Sequence, residues 1–126
     1  NPPYMEGPAA DPPPDASKRK ATVEELGLEP WIDVALRFLK PRGRLCLVHR
    51  ADRLDDLLVA LGGRCGEVTV IPFWPRAGEP ARRVVVRARK AVRTPALLLP
   101  GLVLHGANGQ FTPEAEQVLR EGKALP

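Results

Sequence analysis

Apolar residues recur along this chain in two periods, and the switches between them mark out its elements. From Thr22 the spacing is helical. A helix opening at Glu29-Pro30 sets Trp31, Ile32, Ala35, Leu36 and Leu39 on one face, with Pro30 tolerated in the first turn and Pro41 and Gly43 ending it. Arg44 to His49 (RLCLVH) then runs apolar without polar alternation, the pattern of a strand covered on both faces of a parallel sheet. Asp52 to Leu61 is helical again through Leu54, Leu57, Leu58 and Leu61, and Gly62-Gly63 stops it. Helix, strand, helix, strand is α/β order.

The pattern then changes. Glu67–Phe73 (EVTVIPF) and Arg82–Lys90 (RRVVVRARK) read as strands joined by Trp74-Pro75-Arg76-Ala77-Gly78-Glu79-Pro80, with no helix between them, and they should pair antiparallel. In the second, Val84, Val86 and Ala88 share one face while Arg83, Val85, Arg87 and Arg89 share the other. After the apolar stretch Leu97–Leu104, Asn108-Gly109 marks a turn. Thr112-Pro113-Glu114 opens a last helix, with Thr as N-cap, Pro in first position and Glu at the positive end of the dipole. Residues 5–22 show no periodicity and read as a loop. The expected organisation is one partial domain: residues 1–22 as a motif-bearing, Pro-rich loop, 23–93 as the α/β core and 94–126 as a C-terminal extension.

Composition narrows the class. The 126 residues leave room for one small domain, and 44% hydrophobic with 27% charged residues is ordinary for a globular protein. No apolar run approaches the roughly 20 residues that cross a bilayer, and no signal-peptide pattern opens the chain. Two cysteines, Cys46 and Cys65, make neither a disulfide framework nor a zinc-ligand spacing, so no metal is expected and a reduced, cytoplasmic setting is. Of the 15 prolines, Pro2, Pro3, Pro8, Pro12, Pro13 and Pro14 crowd the start, and the chain opens on Asn1 without an initiator Met, as a processed or truncated product would.

The net charge of +4 comes from one segment, residues 76–93, where Arg76, Arg82, Arg83, Arg87, Arg89, Lys90 and Arg93 stand against Glu79 alone. A charged strand face can simply blunt a sheet edge. Clustered arginine also suits a stripe that contacts phosphates, and the preference for Arg over Lys favours bidentate phosphate geometry. Lys18-Arg19-Lys20 forms a second basic spot, which also reads as a solvated run in a loop.

Asn1-Pro2-Pro3-Tyr4 is the sharpest chemical signal; four specified residues match by chance about once in a hundred thousand positions or less. An exocyclic amine on adenine is a poor nucleophile because its lone pair is delocalised into the ring. Two acceptors set against its two N–H bonds favour a pyramidal nitrogen whose lone pair can point at an electrophilic methyl. Asn1 offers a side-chain carbonyl, and Pro2 a backbone carbonyl that the prolyl-prolyl unit holds stiffly, Pro3 fixing the turn. Tyr4 offers a ring face on which an extruded base can stack. Holding amine and methyl in line is the main contribution, and no strong general base is needed.

These residues resemble a family. N-P-P-Y is similar to the fourth motif of the Rossmann-like, S-adenosylmethionine-dependent methyltransferases that modify planar amines. More narrowly, L-K-P-R-G-R-L-C-L-V-H-R-A-D-R-L, W-P-R-A-G-E-P-A-R-R-V and L-V-L-H-G-A-N-G-Q-F-T-P-E-A resemble the bacterial enzymes that methylate the N6 amine of the adenine beside the anticodon of a valine tRNA. The resemblance implies an α/β fold: the C-terminal half of a class I methyltransferase sheet, with Arg44–His49 as its fifth strand and Glu67–Phe73 with Arg82–Lys90 as its terminal antiparallel hairpin. It implies S-adenosylmethionine as cofactor, approached by Asn1, and tRNA as partner. Asn1, Pro2, Pro3 and Tyr4 would be catalytic, and Lys18, Arg19, Lys20, Arg76, Arg82, Arg83, Arg87 and Arg89 would hold RNA.

The departure from the family pattern is as informative. No Gly-rich cofactor loop precedes the motif or occurs elsewhere, and Gly62-Gly63-Arg64-Cys65-Gly66 reads as a helix stop. The 126 residues alone are therefore expected to transfer no methyl group, and the uncovered apolar edge of Arg44–His49 is expected to pair with another chain as a dimer or swapped sheet. A methyltransferase for a protein glutamine amide, or a non-catalytic RNA-binding or assembly module, are the rival readings. His49 sits where α/β sites form but reads more simply as a structural histidine; His105 reads as a loop residue and Cys46 as core, while Trp74 could stack a nucleotide or pack on the hairpin.

Overall fold

The computed structural model describes residues 5–6, 23–24 and 27–125. Strand β1 (Met5–Glu6) pairs in parallel with β2 (Val23–Glu24). Both departures from the sequence pattern, a strand inside the expected loop and another where helical spacing was expected to begin, come from pairing over two residues, too short for local periodicity to register.

Helix α1 (Leu28–Phe38) and helix α2 (Leu54–Leu61) pack on one face of a larger sheet. The sheet runs in the order β3 (Arg44–Arg50), β5 (Arg83–Lys90), β4 (Cys65–Trp74), with β6 (Leu97–Leu98) and β7 (Leu102–Val103) end to end along the far side of β4. As expected, β4 and β5 are an antiparallel hairpin. Strand β5 also lies antiparallel to β3, in register from Arg44 opposite Arg89 to Arg50 opposite Arg83.

The core follows the two periods. Leu28, Ile32 and Leu36 of α1, with Leu57, Ala60 and Leu61 of α2, close on Leu47, Val70, Val84, Val86 and Ala88 of the sheet. A short 3-10 turn, Ala51–Arg53, leads into α2, and Ala60 takes the buried place expected of Leu58, which is exposed. Strand β3 departs from expectation more clearly. Its burial alternates: Leu47 and His49 are buried, whereas Arg44, Cys46 and Val48 face the open side. Cys46 is thus exposed rather than core, because only one face of β3 is covered among the described residues.

The chain beyond β5 is fastened to β4. Gly101, between β6 and β7, has φ +84°, and a Cβ there would stand 2.2 Å from the Pro72 carbonyl oxygen, so only glycine lets the segment lie this close. Helix α3 (Pro113–Leu119) is capped as expected: Thr112 Oγ1 accepts from the Ala115 N–H at 3.1 Å. Among the described residues three that are not glycine have left-handed backbone, Arg42 (φ 64°), Glu67 (φ 52°) and Ala91 (φ 55°). All three lie at the end of the sheet where β3 begins and β5 ends: Arg42 N–H donates to the Lys90 carbonyl, Ala91 follows Lys90, and Glu67 sits in the bulge of β4 beside Arg89. Each costs on the order of 1 kcal/mol.

Candidate functional site

The carboxyl ends of parallel strands are where α/β sheets form ligand crevices. His49 is the last residue but one of β3 at that end, 1% exposed and in register with Val84. Arg50 and Arg83 stand opposite each other one residue further, and Ala51 N–H donates to the Arg82 carbonyl at 3.1 Å. Arg50 binds Asp52 through Nε at 2.8 Å and through a second guanidinium nitrogen, and Arg53 Nε reaches Asp56 at 2.6 Å. Burial holds the His49 imidazole below its ordinary value, and the cations Arg53, Arg50 and Arg83 push the same way against Asp52. The hydrogen bond from Arg50 keeps the Asp52 carboxyl below the usual carboxylate range. The result is a neutral imidazole walled by guanidinium groups whose charge is partly offset by carboxylates.

The arginines of the basic hairpin divide between the two ends of the sheet. Arg82 and Arg83 join Arg50 and Arg53 at the carboxyl end of β3, and Arg76 lies in the adjoining turn, ion-paired with Glu79 at 3.3 Å. Arg87 and Arg89 lie toward the other end and help hold the fold. Arg89 binds Glu67 at 2.9 Å and the Arg42 carbonyl at 3.1 Å, and Arg87 donates to the Leu125 carbonyl at 3.3 Å. With Arg44 they line an open concavity of about 400 Å3 on the face of the sheet opposite α1 and α2. Along the sequence the arginines of residues 76–93 form one stripe, and Arg44, Arg50 and Arg53 stand outside it. Strand pairing is what assigns them to ends, and the placement of His49-Arg50 at the close of β3 was the available signal.

Asn1, Pro2, Pro3, Tyr4, Lys18, Arg19 and Lys20 lie outside the described residues. Other candidates are resolved by their contacts. Trp74 is half-buried, and its indole N–H donates to the Pro100 carbonyl at 2.9 Å, which ties the ring to the segment between β6 and β7. His105 stacks on Phe111 with ring centroids 4.8 Å apart, and the Arg120 guanidinium lies over the Phe111 ring. Burial pushes the Cys65 thiol up, which keeps it protonated and unreactive.

The glycines bear on a cofactor cradle. At Gly66 and Gly101 an added Cβ would strike this chain's own backbone, at the Val92 and Pro72 carbonyls, and Gly63 simply closes the turn after α2 in open space. The close approaches at Gly66 and Gly101 are made to the chain's own backbone, so these glycines are explained by packing and form no cofactor cradle.

No protein-family model matches the chain, and no curated protein does. Among solved structures, that of a predicted O-methyltransferase from Agrobacterium tumefaciens is similar, with a TM-score of 0.71 and 30% sequence identity. The match takes in 78% of this chain and 47% of that one, so this chain spans about half the length of the protein it resembles. The α/β architecture described above is that of part of a methyltransferase-like fold.

Proposed function

We propose that this chain carries the base-holding part of an S-adenosylmethionine-dependent methyltransferase that acts on the N6 amine of an adenine in tRNA. The observation that carries this reading is Asn1-Pro2-Pro3-Tyr4 at the head of a chain whose described residues take up a methyltransferase-like fold. The similar structure bears the name of an O-methyltransferase; the choice of a planar amine rests on residues 1–4.

The roles follow from the chemistry of the residues. The Asn1 side-chain carbonyl and the Pro2 backbone carbonyl accept from the two N–H bonds of the amine and turn its lone pair out of the ring plane. Pro3 stiffens that arrangement and Tyr4 stacks on the base. S-adenosylmethionine supplies the electrophilic methyl when bound. Arg82 and Arg83, with Arg50, Arg53 and Arg76, set positive charge at the carboxyl end of β3, where it would attract the RNA backbone, and Lys18, Arg19 and Lys20 add to it. A cytoplasmic location belongs to the same proposal.

The test is to incubate the full-length protein with methyl-labelled S-adenosylmethionine and either bulk tRNA or a protein extract, and to identify the labelled product by mass spectrometry after digestion. Label in N6-methyladenosine supports the reading. Label in a glutamine amide or a ribose oxygen, or tRNA binding with no transfer, overturns it.

A further inference from the structure

The amino end of β3 carries a second concentration of charge. Helix α1 ends there at Arg37 and Phe38, the turn Lys40-Pro41-Arg42-Gly43 leads into Arg44, and Arg93 follows the end of β5. The backbone joins these segments at one end of the sheet: Arg42 N–H donates to the Lys90 carbonyl at 2.9 Å, Lys90 N–H to the Gly43 carbonyl at 3.0 Å, and Lys90 Nζ to the Leu36 and Leu39 carbonyls where α1 ends, while Arg44 points to the face opposite α1. Two of the basic residues here have carboxylate partners, Arg64 with Asp33 and Arg89 with Glu67. Arg37, Lys40, Arg42, Arg44 and Arg93 have none among the described residues, and all five are exposed.

Two independent features set this end apart from a merely solvated one. The Phe38 ring is 87% exposed, between Arg37 and Lys40. The left-handed backbone at Arg42 would be unstrained in glycine, so an arginine there is kept at a conformational cost. An aromatic face set among cations suits an unpaired base with its phosphates, since every base can stack on such a ring and arginine binds phosphate bidentately.

We propose that the amino end of β3 is an RNA-binding surface in its own right, with Phe38 stacking an unpaired base, Arg37, Lys40, Arg42 and Arg93 gripping the phosphates around it, and Arg44 reaching a phosphate from the other face of the sheet. It lies about 17 Å along β3 from His49, the span of five strand residues. It therefore holds a part of the RNA distant from the amine. This deepens the RNA reading above and rests on it for the identity of the nucleic acid.

Fluorescence anisotropy with a labelled single-stranded RNA and with intact tRNA tests it, using the full-length protein, Phe38→Ala, and Arg42→Gly combined with Arg44→Gln. Phe38 is exposed and glycine suits the Arg42 backbone, so folding is not at stake. The expected result is that Phe38→Ala raises Kd for single-stranded RNA about tenfold. The double variant weakens both RNAs and lowers the slope of log Kd against log salt by about two. Unchanged Kd values in both variants, or wild-type binding to anionic-lipid vesicles that exceeds binding to RNA, would overturn the proposal. Methyl transfer by the same wild-type sample is scored separately: the expected binding pattern without transfer to RNA leaves this surface standing and removes the enzymatic reading, and transfer with unchanged Kd values does the reverse.

Discussion

Arg44 and Arg89 face each other in register across the antiparallel β3–β5 pair, and Glu67, from β4, binds Arg89 at 2.9 Å. Like charges directly opposite on neighbouring strands repel, and Glu67 offsets part of that repulsion. Glu67→Gln is expected to destabilise the protein by about 0.5 kcal/mol at low ionic strength, a modest figure because the pair is partly solvated. The loss should largely vanish near 1 M salt, where the Debye length is about 3 Å. Urea titrations at the two salt concentrations check this; a loss that grows with salt would contradict it.

His49 makes stability depend on pH in a definite direction. Burial, with Arg53, Arg50 and Arg83 nearby and Asp52 opposing, lowers its folded value below the ordinary 6.5. As pH falls below about 6.5 the unfolded chain takes up a proton that the folded one resists, so stability is full above that value and declines on acidification through the lowered folded value. Asp52 acts in a separate, more acidic window, below its ordinary 3.8. His49→Leu should remove the part of the decline in stability that sets in as pH falls below about 6.5. An equally steep profile in the variant would assign the dependence to another group.

Gly101→Ala should separate the chain after β5 from the sheet. A Cβ there meets the Pro72 carbonyl oxygen at 2.2 Å and adopts φ +84°, so β6 and β7 cannot both stay paired with β4. The expected cost is about 2–4 kcal/mol, with early loss of amide protection in residues 97–104 by hydrogen exchange. Uniform destabilisation with no local opening would be the contrary result.

The outer edge of β3 has no strand beside it among the described residues, and its open face exposes Cys46 and Val48. We propose that these 126 residues pair there with a second copy. Light scattering should show a dimer at high concentration, and Val48→Lys should shift it toward monomer. A wild-type monomer at every concentration would contradict this.

Much of this architecture is legible in sequence where one period rules. The alternation Val84, Val86, Ala88 against Arg83, Val85, Arg87, Arg89 gives the two faces of β5, although Val85 is buried among the arginines of the second, and Thr112-Pro113 gives the start of α3. Strand β3 was harder. Its residues are apolar on both sides, so nothing in RLCLVH distinguishes the buried Leu47 from the exposed Cys46; the cover on each face decides. The two basic ends were hidden for a related reason. Lys40, Arg42 and Arg44 belong to a stretch of chain that is near neutral overall, and only the pairing of β3 with β5 joins them to Arg89 and Arg93. Charge counted along a chain misses what strand register assembles.

The most direct measurement is the rate of methyl transfer to tRNA by full-length Asn1→Ala at saturating S-adenosylmethionine and RNA, taken together with its Kd for the RNA. With one of the two amine acceptors gone, kcat should fall by roughly a hundredfold or more while Kd changes little, the signature of a contact realised in the transition state. An unchanged kcat, or a loss confined to Kd, would show that these carbonyl groups do not hold the reacting amine.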